Sequence, residues 1–103
     1  MIYEVNLKIP VDIKKEYNQW LADHIEEMLT FDGFLKAEVY QVKSNLPTEY
    51  ELCVQYHLEN RQTMINYEQQ HATKMRGDGL SRWGSQVKAS RRILYKYGLT
   101  TEN

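Results

Sequence analysis

The sequence predicts an α+β fold with the element order β-α-β-β-α-β, on three observations. Apolar and polar residues alternate with period two over residues 2–9 and 50–58. Apolar residues recur at spacings of three and four over residues 13–28 and 64–75. Turn-forming residues fall between these segments, at Pro10, Asp32-Gly33, residues 44–49 and Gly77-Asp78-Gly79.

The first strand, residues 2–9, puts Tyr3, Val5, Leu7 and Ile9 on one face and Glu4, Asn6 and Lys8 on the other. Pro10 ends it, because proline cannot donate a ladder hydrogen bond. Asp12 is placed to cap the helix that follows, whose stripe is Ile13, Tyr17, Trp20, Leu21, His24 and Met28. Asp32-Gly33 stops that helix. Residues 34–42 and 50–58 form the next two strands, joined through residues 44–49. The earlier strand has apolar residues on both faces: Leu35, Ala37 and Val39 oppose Phe34, Tyr40 and Val42. Asn60 caps a second helix running to about residue 76, with Met64, Tyr67, His71 and Met75 on its stripe and Gly77-Asp78-Gly79 as its stop. A turn through Leu80 and Trp83 leads to a last strand over about residues 86–95.

Two β-α-β halves in this order fold most simply as a ferredoxin-like domain, a four-stranded antiparallel sheet with both helices on one face. The first and third strands are expected at its centre as parallel neighbours, their apolar faces (Tyr3, Val5, Leu7; Leu52, Val54, Tyr56) covered by the helices. The uncovered face then carries Glu4, Asn6, Cys53, Gln55 and His57. Two-sided apolarity in a one-layered sheet implies a partner layer, most economically a second copy on a two-fold axis, so a homodimer through this face is expected.

At 103 residues the chain suits one domain, residues 1–103. Its net charge of −1 excludes a polycation, and its 12% aromatic content argues against an acidic disordered tail. The single Cys53 excludes an internal disulfide or a multi-cysteine metal centre. The opening Met1-Ile2-Tyr3-Glu4 has no basic region or long apolar run, so neither a secretory leader nor a membrane span is expected, and the cytoplasm is the expected location.

The run from Met75 to Gly84 and the segment Ala89-Ser90-Arg91-Arg92-Ile93-Leu94 resemble the C-terminal signature of a small bacterial domain-of-unknown-function family. The opening Ile2-Tyr3-Glu4-Val5-Asn6-Leu7, Gly33-Phe34-Leu35 and Val54-Gln55-Tyr56 extend the resemblance over nearly the whole chain. It implies the dimeric α/β-barrel superfamily, in which two ferredoxin-like units pack sheet to sheet. The superfamily spans cofactor-free monooxygenases, isomerases, haem enzymes and stress-responsive proteins, so the resemblance transfers fold and dimerisation and no catalytic residue.

Charge is unevenly distributed. Residues 74–96 hold seven bases and one acid, against six bases and twelve acids in residues 1–73. One reading is internal compensation, with Arg91 or Arg92 pairing with Glu4. Another is an anion site, since arginine offers a planar fork to a carboxylate or phosphate. Arg91, Arg92, Asn6, Gln55 and His57 are accordingly the candidate ligand-binding residues. Nucleic acid is disfavoured: RNA-binding sheets of this order need aromatics on the open face, whereas Tyr3 and Tyr56 fall on the helix side. No histidine pair has zinc spacing, and no cofactor motif is present, so neither metal nor cofactor is expected. Cys53 and His57, four residues apart on one strand, are separated by about 13 Å and cannot form a catalytic pair within one subunit.

Trp20, Tyr17, Tyr67 and His71 could instead line a cleft between helices and sheet. The expected function is thus that of an uncharacterised dimeric domain that binds a small anionic or aromatic molecule. The alternatives are a cofactor-free monooxygenase or isomerase, with His71, Tyr67 and Trp20 as catalytic candidates, and a structural or protein-interaction module.

Overall fold

The computed structural model describes residues 1–99. The strands are β1 (Ile2–Pro10), β2 (Phe34–Val42), β3 (Glu49–Leu58) and β4 (Lys88–Leu94). The helices are α1 (Lys14–Met28), α2 (Arg61–Gln70) and α3 (Ala72–Trp83). The sheet order is β2-β3-β1-β4, every pairing antiparallel, with the helices packed on one face. This is the ferredoxin-like α+β class that the sequence predicts.

The centre of the sheet corrects one expectation. β1 and β3 are neighbours, but antiparallel, with Tyr3 opposite Tyr56 and Val5 opposite Val54. The α1 crossover returns the chain parallel to β1 as β2, and the following hairpin reverses it.

The cap and stop residues read from the sequence are borne out only in part. Asp12 caps nothing: it lies in a 3-10 turn, Val11–Ile13, and α1 begins after Ile13 without a side-chain cap. α1 ends at Met28, ahead of Asp32-Gly33. Gly33 has φ +84°, and a Cβ there would lie 2.2 Å from Thr63 Oγ1, so the position needs glycine for both conformation and space. Asn60 does cap α2, its side chain accepting from Thr63 N at 3.0 Å.

The second helical stretch breaks at His71 rather than at Gly77-Asp78-Gly79, and α3 runs through both glycines to Trp83. Helix-interior glycine costs about 1 kcal/mol against alanine, which packing can offset. Here a Cβ on Gly79 would meet the Trp20 ring at 3.4 Å, an ordinary packing distance, so α3 carries this glycine against α1 without needing the missing Cβ.

The core forms where α1, α2 and α3 meet β1 and β3. Tyr3, Ile9, Val54 and Tyr56 from the sheet pack with Tyr17, Met28, Tyr67 and Met75 from the helices. β4 is covered much less, with six of its seven residues exposed. A β-bulge between Phe34 and Lys36 turns Phe34 into the core and leaves Leu35 exposed, so the two-sided apolar pattern at the start of β2 is partly a register shift.

Candidate functional site

A half-open cavity of about 330 Å3 lies between the helices and the inner faces of β1, β3 and β4. Two aromatic groups wall it. In one, Trp20 stacks on His24 at 4.6 Å and meets the edge of Trp83 at 6.3 Å, with Tyr17 5.2 Å from Trp83. In the other, Tyr3 packs against Tyr56 at 5.9 Å and Tyr67 at 5.5 Å. The exposed lining residues Leu80, Gly84, Ala89 and Arg91 mark the mouth, where α3 ends and β4 lies uncovered.

The polar lining is one-sided in character. Arg76 and Arg91 contribute guanidinium groups, and among the described residues no aspartate or glutamate lines the cavity. Arg76 Nη2 donates to Glu68 Oε1 at 2.7 Å and to Tyr3 Oη at 3.1 Å, whereas Arg91 has no carboxylate partner among the described residues. Burial pushes the Tyr17, Tyr56 and Tyr67 phenols well above their usual range, so they stay protonated at neutral pH. Burial pulls His24 below the ordinary imidazole value, which leaves it neutral there. Further acids lie outside, where Asp23, Glu27 and Asp78 line a more open depression beyond the Trp20–His24 pair, and Lys74 bridges Glu27 and Asp78.

The opposite sheet face holds a different cluster. Glu4 is buried there, paired with Arg92 Nε and accepting from Asn6 Nδ2 and Gln55 Nε2, each at 2.9 Å. These bonds, Arg92 first, hold its carboxyl down at about 2. Cys53 sits beside it, and burial together with the Glu4 carboxylate pushes the thiol up, away from a reactive thiolate. His57 bonds Glu38 at 2.7 Å.

The sequence-derived candidates are therefore divided between two places. Asn6, Gln55 and Arg92 gather round Glu4, which fits charge compensation within the chain. His57 is engaged by Glu38 on β2. Arg91, one residue from Arg92, faces the helices and the cavity. The three catalytic candidates do not converge: Trp20 and Tyr67 line the cavity, but His71 lies outside that lining, stacked on Phe31 at 3.9 Å and 5°. Placed in the cavity but not singled out by the sequence are Arg76, Trp83 and His24. The spacing Ala72, Met75, Gly79, Trp83 carries the signal for Trp83 once the glycines are read as helical.

Among the described residues no helix is long and apolar enough to cross a membrane, and no cluster of three or more His, Cys, Asp or Glu could hold a metal ion.

Sheet, helices and cleft together define a ferredoxin-like α+β domain with one helix-covered and one open sheet face. The chain belongs to the family described as Domain of unknown function (DUF4286), whose model matches residues 1–97. No curated protein matches it. Among solved structures it is similar to a provisionally named antibiotic biosynthesis monooxygenase from Deinococcus radiodurans, at TM-score 0.63 and 15% identity over 98% of each chain. It is also similar to a mutant of SnoaB, a cofactor-independent oxygenase from Streptomyces nogalater, at TM-score 0.59 and 9% identity over 94% of this chain and 95% of that one. An ethyl tert-butyl ether d (ethd) family protein from Bacillus halodurans superposes at TM-score 0.60 with 11% identity, over 92% of this chain and 100% of that one. At these identities the likeness is one of fold.

Proposed function

We propose that this protein is a cytoplasmic small-molecule-binding domain, its site the cavity between helices and sheet, acting as a homodimer joined through the open sheet face. The observation that carries the reading is the cavity itself. A domain of this size ordinarily fills such a space with its own side chains, whereas here about 330 Å3 stays open, within the volume range of ligand pockets. Aromatic walls with a few polar groups are the usual make-up of such a site. The cofactor-free oxygenase alternative is not favoured, because its three catalytic candidates do not converge: His71 is absent from the lining that holds Trp20 and Tyr67.

The dimer reading is supported by Tyr40 and Val42, exposed large side chains on the open face of β2. Pairing two copies would cover them and the Glu4 cluster together. Sedimentation at tens of micromolar should give twice the 12.3 kDa chain mass, and a monomer would contradict this part of the proposal.

The binding reading is tested by thermal shift with 2-naphthoate and its neutral relative 2-naphthalenemethanol. At least one should raise the melting temperature of the wild type by several degrees. Ala89→Phe, which places a ring at the mouth, should abolish the shift while melting within about 3 °C of the wild type. No shift with either probe, or an undiminished shift in Ala89→Phe, would refute the site.

A further inference from the structure

We infer that the cavity selects a flat aromatic molecule carrying one anionic group, with Arg91 holding the anion; this rests on the small-molecule reading above and narrows it to a chemical class. Unmet hydrogen bonds are the first support. Among the described residues, the buried side-chain nitrogens and oxygens without a partner are Arg76 Nε and Trp83 Nε1. Both residues line the cavity, and both atoms are donors. Native interiors leave few such groups unmet, so two in one site call for an acceptor from outside the chain.

Charge points the same way. Among the described residues the lining holds two guanidinium groups and no carboxylate. Glu68 neutralises Arg76 from outside the lining, while Arg91 has no such partner among the described residues. The cavity thus carries about one uncompensated positive charge at its mouth. Arg91 lies opposite Val5 in the β1–β4 ladder, on the sheet face that packs against the helices, which places its side chain at the cleft. A guanidinium presents two parallel donors to a carboxylate, a geometry that a neutral hydroxyl cannot use fully.

The lining of the space favours a flat occupant. Six aromatic rings line the cavity in two packed groups, Trp20 with Trp83 and Tyr17, and Tyr3 with Tyr56 and Tyr67, and rings in such number favour stacking or edge contacts with another ring. At about 330 Å3 the space is at the small end for ligand pockets, which suits one or two fused rings.

The test is titration calorimetry at pH 7.5 with 2-naphthoate and 2-naphthalenemethanol, which share a ring system and differ in charge. The wild type should bind the acid at least ~10-fold more tightly than the alcohol. In Arg91→Met that preference should shrink to within about 2-fold, with the alcohol's affinity unchanged. Trp83→Phe keeps a ring and removes the indole donor, and should weaken the acid by about 3-fold or more. Should Arg91→Met fail to fold, Arg91→Lys should retain only part of the preference, since lysine keeps charge without the fork.

Equal affinity for the two probes in the wild type would overturn anion selection and leave cavity binding standing. A preference undiminished in Arg91→Met would overturn the role of Arg91. No binding of either probe up to about 1 mM would remove the small-molecule reading itself.

Discussion

The two faces of this sheet use adjacent arginines in opposite ways. Arg92 lies on the open face against buried Glu4, in a cluster completed by Asn6 and Gln55. Arg91, one step along the same strand, lies on the helix side at the mouth of the cavity, without a carboxylate partner among the described residues. Side chains alternate across a strand, so one residue of register separates a charge satisfied within the chain from one left available. Clustered basic residues in a sequence therefore do not define a single site until each has been assigned to a face.

The largest effect is expected on the covered face. Tyr3 is 2% exposed, packs on Tyr56 and Tyr67, and accepts from Arg76. Tyr3→Ala should cost about 3–5 kcal/mol in denaturant unfolding, the usual range for a large aromatic removed from a core. It should weaken 2-naphthoate binding too, because the cavity loses a wall.

A smaller effect is expected on the open face. Glu4→Gln removes the charge that Arg92 faces and keeps the side chain's shape. The expected loss is about 1–2 kcal/mol, limited because Arg92 is itself 66% exposed and can be hydrated. The variant should leave 2-naphthoate affinity unchanged, which separates the two faces.

The same residue gives a pH test. The Glu4 carboxyl is lowered from 4.5 to about 2, by the Arg92 bond above all. A depressed carboxyl stabilises the fold fully above its unfolded value, and that contribution disappears as the pH falls through the folded value. Wild-type stability should therefore fall more steeply than that of Glu4→Gln between about pH 4.5 and pH 2, and parallel curves would show that Glu4 is not held as described.

The smallest effect discriminates best between the two arginines. Arg91→Met should shift unfolding by less than about 0.5 kcal/mol, since the residue is exposed and has no ion pair among the described residues. Arg92→Met should cost about 1 kcal/mol or more, because it leaves the Glu4 carboxylate buried without its cation. Equal effects would mean that the two arginines are not differently employed.

Much of the fold was legible because period two and period 3.6 are imposed by the backbone and survive in side-chain choice. β2 is predicted to the residue, and the Asn60 cap is where a cap residue should be. Local signals failed where tertiary packing overrode them. Gly77-Asp78-Gly79 reads as a stop by propensity, yet both glycines are helical within α3, whose Ala72, Met75 and Trp83 are buried. That misreading concealed Trp83, whose place on the α3 stripe brings it to the cavity. The partner of Glu4 was legible in β4, but the burial of Glu4 was not. Alternation assigns a residue to a face, and only the cross-strand register brings Gln55 and Arg92 over it together.

A proton–nitrogen correlation spectrum of the uniformly nitrogen-15-labelled protein, titrated with 2-naphthoate, observes both faces at once. The Trp83 indole N–H signal should move progressively to saturation, while the side-chain amides of Asn6 and Gln55 remain in place. An unmoved Trp83 indole, or shifts confined to those two amides, would contradict a cavity that takes the ligand on the helix-covered face.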